Sequence, residues 1–154
     1  MPLDRLALML ASRHEEGASY ILQQVEGWQR LRHKVPSWAK VDDLEYPPRL
    51  ALEQCSGEAA AQYKAEVVKS LFAADSQMPK CMVDLTGGLG VDFSFVAREF
   101  EQAVYVERQE NLCQLARHNF KLLGLEHAQV VCADGVEYLK NMTHGVDLIF
   151  LDPA

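Results

Sequence analysis

The chain has 154 residues, 49% of them apolar and 24% charged, with 15 Lys and Arg against 22 Asp and Glu for a net charge of −7. This is the make-up of an ordinary globular protein, which excludes a disordered or fibrous chain and argues against a grip on a phosphate backbone by bulk positive charge. The longest apolar stretches, such as 146–151, fall far short of the ~20 residues a membrane-spanning helix needs, and Met1-Pro2-Leu3-Asp4-Arg5 does not open a secretory signal. A cytoplasmic protein with no membrane partner is expected.

Residues 3–34 read as helical, because Leu6, Leu10, Ile21, Val25, Trp28 and Leu31 recur at three- and four-residue steps, with Gly17 as the break between two helices. From Val35 to Leu52 the pattern is irregular, and Tyr46-Pro47-Pro48 must be extended. A third helix is expected from Ser56, whose hydroxyl can cap it, with a buried stripe of Ala60, Tyr63, Val67, Ser70 and Leu71. After Pro79 short apolar runs alternate with amphipathic stretches: strands at 81–85, 103–107, 129–132 and 146–151, helices near 91–100, 110–123 and 135–142. This alternation predicts an α/β fold, a Rossmann-like parallel sheet ending after its fourth strand, with a helical appendage. The division expected is a helical region over 1–78 and a sheet domain over 79–154. A four-stranded parallel sheet leaves an open edge, so the chain reads as the front part of a longer protein.

Four widely spaced cysteines, Cys55, Cys81, Cys113 and Cys132, show no Cys-x-x-Cys and are expected reduced and half-buried. His14, His33, His118, His127 and His144 form no ligand-like cluster, so no metal is expected. Charge is uneven: residues 1–40 hold six Lys and Arg against four acids, and residues 84–154 hold five against eleven.

The informative stretch is Val83-Asp84-Leu85-Thr86-Gly87-Gly88-Leu89-Gly90-Val91-Asp92, a glycine-rich turn between a strand and a helix, at the sheet edge where open α/β folds bind ligands. A nicotinamide-dinucleotide site would need Gly or Ala at position 93, which is Phe93, and would place a pyrophosphate beside Asp84. The loop fails that test and instead resembles motif I of class I S-adenosylmethionine (SAM) dependent methyltransferases, an acid followed by a glycine-rich turn. The resemblance implies SAM as cofactor, held by Asp84, Thr86, Gly87, Gly88 and Gly90, with the Thr86 hydroxyl toward the methionine moiety. Glu107, 20 residues after Gly87, ends the second strand at the spacing from which a carboxylate reaches ribose hydroxyls, and Arg108 follows it. Asp134-Gly135 ends the third strand where this resemblance implies a contact to the adenine amino edge. Asp152-Pro153 ends the fourth and resembles motif IV of amino-methylating enzymes, which makes Asp152 the candidate catalytic residue. Ala154 stands where that motif has a second proline.

Further runs, Tyr46-Pro47-Pro48-Arg49-Leu50, Glu53-Gln54-Cys55-Ser56, Tyr63-Lys64-Ala65, Val106-Glu107-Arg108-Gln109 and His118-Asn119-Phe120, resemble a bacterial methyltransferase family with a C-terminal THUMP-like domain. The chain is similar, more distantly, to trimethylguanosine-synthase-like RNA methyltransferases. THUMP domains bind RNA, so the resemblance implies RNA as substrate and an amino nitrogen as acceptor. Gln54 and Ser56, at the start of the helix before motif I, either reach the SAM carboxylate or serve as caps. The segment from Trp28 to Lys40 interleaves cations with two tryptophans, and either touches RNA or docks the appendage. Two other readings stay open: a protein or small-molecule acceptor, and a SAM- or RNA-binding module without catalysis.

Overall fold

The computed structural model describes residues 3–12 and 16–153; His14 and Ala154, singled out above, lie outside the described residues. Helices α1 (Leu3–Ser12) and α2 (Ala18–Lys34) follow the apolar steps in the sequence, and Gly17 breaks the run at φ +79°, a left-handed conformation open to a residue without Cβ. Leu6, Leu10 and Leu31 are buried, whereas Ile21 and Trp28 stay exposed.

The stretch expected to be irregular contains a 3-10 turn, Trp38–Lys40, and a short helix, α3 (Arg49–Gln54), that starts immediately after the extended Pro48. Six residues are too few for a periodic signal, so α3 left no mark in the sequence pattern. Helix α4 (Glu58–Leu71) corrects two expectations. Its N-cap is Gly57, not Ser56, whose hydroxyl instead donates to Asp92. Its buried face is Ala61 and Val68, while Tyr63, Val67 and Leu71 are exposed. Apolar residues span a wide arc of α4, and the small side chain of Ala61, fully buried, lets the helix approach its neighbours.

The remaining elements are β1 (Cys81–Asp84), α5 (Val91–Val96, continued by the 3-10 turn Ala97–Glu99), β2 (Gln102–Glu107), α6 (Glu110–Leu122), β3 (Ala128–Cys132), α7 (Gly135–Asn141) and β4 (Leu148–Phe150). All four strands are parallel in the order β3-β2-β1-β4. The chain runs outward from β1 to β3 and returns to lay β4 on the other side of β1, so the order reverses between β1 and β4. A crevice opens at such a reversal beyond the carboxyl ends of the strands.

One face of the sheet packs on α5 and α6 through an aromatic trio. Phe93 stacks on Phe120 at 5.0 Å between ring centres, and Tyr105 meets both edge-on at 5.6 and 5.3 Å. The other face is a smaller cluster of Val83, Val104 and Val106 against Tyr138, Met142 and Val146. A separate core joins Leu31, Val35, Trp38, Tyr46 and Leu52 to Leu89, Val91 and Leu115. Trp38 therefore docks the N-terminal helices, while the exposed Trp28 carries Arg32 over its ring at 5.0 Å. Asn119, 1% exposed, exchanges two hydrogen bonds with the backbone of Glu45, at 2.9 Å from its N–H and 2.8 Å to its carbonyl, and so pins the same segment to α6.

The cysteines are free; Cys55 and Cys81 are half-buried, whereas Cys113 is buried and Cys132 exposed. Among the described residues no helix is long and apolar enough to cross a membrane, and no group of three His, Cys, Asp or Glu is placed to hold a metal ion.

Candidate functional site

A cleft of about 770 Å³ opens at the β1/β4 reversal, within the size range of small-molecule sites. Asp84, Thr86, Gly87, Gly88, Gly90, Glu107, Arg108, Asp134, Gly135, Asp152, Gln54 and Ser56 all line it. They come from five separate chain segments, and the strand ends bring them together.

The loop after β1 is held from below by β2. Gly87 N–H donates to Val106 carbonyl at 3.0 Å, Gly88 N–H to Glu107 Oε2 at 2.9 Å, and the Tyr105 hydroxyl to the Gly88 carbonyl. Burial, then the charge of Glu107, pushes the Tyr105 phenol well above its ordinary range, which keeps it a donor. The glycines divide their tasks. Gly88 and Gly90 take positive φ, +55° and +84°. A Cβ at Gly87 would lie 2.4 Å from the Tyr105 ring and one at Gly90 2.8 Å from the Phe120 ring, so these two glycines answer to the aromatic core. Gly135 is forced in the same way: its Cβ would sit 2.4 Å from the Leu85 carbonyl oxygen.

Asp84 is 2% exposed, and burial raises its carboxyl from 3.8 to about 7 despite hydrogen bonds from the Thr86 N–H at 2.8 Å and hydroxyl at 3.1 Å. Thr86 also accepts the Asp152 N–H at 2.9 Å, so one hydroxyl links the ends of β1 and β4. Glu107 accepts the Gln109 N–H at 2.8 Å through Oε1, and a carboxylate bonded once at each oxygen keeps further acceptor sites. Asp134, which lines the cleft, caps α7 with Oδ1, taking Val136 and Glu137 N–H at 2.9 and 3.2 Å.

Gln54 ends α3 rather than starting α4, and Ser56 lies between those helices. The Ser56 hydroxyl donates to Asp92 Oδ2 at 2.7 Å, a contact made within the protein. Two further residues escaped the sequence reading. Lys64 bridges Asp92 at 2.8 Å and Asp152 at 2.5 Å, and Asp92 turns its Oδ1 inward, buried and without a hydrogen-bond partner among the described residues. Only the Tyr63-Lys64-Ala65 run hinted at Lys64, since the residues it joins are 28 and 88 positions away.

The cleft walls carry five carboxylates, Asp84, Asp92, Glu107, Asp134 and Asp152, and one cation, Arg108. Carboxylates and backbone groups of this kind suit a ligand with a cationic group, hydroxyls and an amino edge, and they repel a pyrophosphate.

Comparison with known proteins agrees with the fold. A "putative methyltransferase" from Porphyromonas gingivalis W83 superposes with a TM-score of 0.70 at 34% identity, over 91% of this chain and 33% of that one. A "putative O-methyltransferase" from Klebsiella pneumoniae (TM-score 0.57, 19% identity, 80% of this chain and 52% of that one) shares the fold. So does cofactor-bound Rv0187 from MTB (TM-score 0.57, 17% identity, 81% and 53%). The chain spans about a third of the first protein's length and about half of the other two. No curated protein matches. The sheet is thus the Rossmann-like sheet of methyltransferases, and residues 52–154 match one family along their whole length. The chain belongs to that family, described as Conserved hypothetical protein 95.

Proposed function

We propose that this chain forms the cofactor cleft of a cytoplasmic SAM-dependent methyltransferase that acts on an amino nitrogen of RNA. The observation that carries the reading is the set of acids at the strand ends around the reversal of strand order, with a buried Asp84 at the loop. The residues present fit SAM. Asp84 is buried and short of a cation, Glu107 and Asp134 keep acceptor capacity for hydroxyl and amino hydrogens, and the glycine loop brings backbone close to the cleft. Gln54, Arg108 and Gly135 complete the wall. Sequence resemblance to the THUMP-like family supports RNA as the acceptor, and an acidic cleft is compatible with RNA whose phosphates are gripped elsewhere.

SAM, when bound, would supply a methyl group on a sulfonium, already activated for transfer to a nitrogen lone pair with the sulfur as leaving group. The chain's own residues then have three tasks. Asp84 offsets cationic charge at the loop. Thr86 holds the Asp152 backbone at the end of β4. The Asp152 carboxylate accepts an N–H of the acceptor, which aims the nitrogen lone pair into the cleft and gives the released proton a path to water. Asp152→Ala is expected to lower tritiated methyl transfer to bacterial ribosomal RNA by about 10²–10⁴-fold. SAM affinity by calorimetry should stay within about threefold. Equal loss of both would make Asp152 a cofactor ligand, and unchanged transfer would remove it from the chemistry.

A further inference from the structure

Lys64 touches Asp92, Asp152 and Ser56, three residues of the cleft wall. Its ammonium lies 2.5 Å from Asp152 Oδ2, 2.8 Å from Asp92 Oδ2, 3.1 Å from Ser56 Oγ, and 5.8 Å over the centre of the Phe150 ring. The two acids are unlike. The Asp92 side chain is 14% exposed with one oxygen orphaned, a state that persists only when a cation balances it. The Asp152 side chain is 51% exposed, and an exposed aspartate left to itself samples several rotamers. Burial works against the charge on Lys64, but the hydrogen bonds to Asp152 and Asp92 outweigh it and raise its titration above the ordinary lysine value. Lys64 therefore stays a cation wherever its two partners are carboxylates.

We propose that Lys64 is a positioning residue for methyl transfer: anchored on Asp92 and Ser56, it occupies Oδ2 of Asp152 and leaves Oδ1 as the oxygen offered to the acceptor amino group. This rests on the function proposed above. Residue 152 is then fixed at two points, its backbone N–H by Thr86 and its carboxylate by Lys64. The anchor belongs to α4, so a helix that precedes the glycine-rich loop sets the geometry of a residue 88 positions later. A side chain that merely glued α4 to the sheet would govern stability alone, whereas this one governs the rate of a step in which a displacement of about 1 Å can cost ~10²-fold.

The test compares Lys64→Met, Lys64→Gln, Lys64→Arg and Asp152→Ala with the parent chain in three readouts. These are SAM binding by calorimetry, tritiated methyl transfer to bacterial ribosomal RNA, and the ¹⁵Nζ resonance of Lys64. Lys64→Met and Lys64→Gln should keep SAM affinity within about threefold and lose about 10–100-fold in kcat, with Lys64→Arg recovering most of it. Asp152→Ala should shift the Nζ resonance and speed its exchange with water. Lys64→Met or Lys64→Gln at parental kcat, with Asp152→Ala inactive, overturns the inference and leaves the proposed function standing; a loss of folding alone, with kcat per folded molecule intact, overturns it too. Asp152→Ala at parental kcat overturns the proposed function instead. If the parent chain methylates no ribosomal RNA, ribosomal RNA falls as the acceptor, and an Nζ resonance unmoved by Asp152→Ala then overturns the role given to Lys64.

Discussion

With Asp84 in its proposed place beside the cofactor, its burial predicts that SAM binding is linked to a proton. Its carboxyl stands at about 7 in the folded chain against 3.8 for a free aspartate, a gap of about three units. At 1.36 kcal/mol per unit, the folded chain carries about 4 kcal/mol of unfavourable charge at this residue once it ionises. The sign follows from linkage: between pH 3.8 and about 7 the folded state binds more protons at Asp84 than the unfolded state, so the chain loses stability from this group as pH rises through that window. A cationic ligand group beside Asp84 favours the ionised form, so binding expels the proton. SAM affinity should therefore rise about 20-fold from pH 5.5 to 7.5, given a carboxyl at about 7 in the free chain. Calorimetry in buffers of differing ionisation enthalpy should show nearly one proton released near pH 6, and Asp84→Asn should bind more weakly with a flat profile. An affinity unchanged across this range, or the same pH dependence in Asp84→Asn, refutes the reasoning.

Gly87→Ala places a Cβ 2.4 Å from the Tyr105 ring and should cost about 1–3 kcal/mol in chemical denaturation while also weakening SAM binding, since the displaced ring carries the hydroxyl that holds Gly88. Asn119→Leu strips both partners from the Glu45 backbone and should destabilise the chain by about 2–3 kcal/mol, with earlier proteolysis of the segment around residue 45.

The strands and the acids that end them were legible because each signal is local. A short apolar run closed by Asp84, Glu107, Asp134 or Asp152 places the acid at the strand's carboxyl end, and parallel pairing then gathers the four without further information. Failures came where tertiary contact outweighs local pattern. Ser56 has the chemistry of a helix cap, but Asp92 and Lys64 claim its hydroxyl, leaving Gly57 as the cap. The face that α4 buries was unreadable because apolar residues lie on both sides of it, and α3 is too short to repeat. The glycines were visible as a motif, but not that Gly87 and Gly90 are required by aromatic rings from β2 and α6. Lys64 showed only as part of the Tyr63-Lys64-Ala65 run, since the acids it joins are distant in the sequence.

What the carboxylate-ringed cleft accepts is tested most directly by calorimetry of the chain with SAM, S-adenosylhomocysteine and NAD. Saturable binding of both SAM and its demethylated product, with no heat from NAD, is the predicted result. Tight NAD binding without SAM binding would contradict it, because a pyrophosphate would then lie beside Asp84.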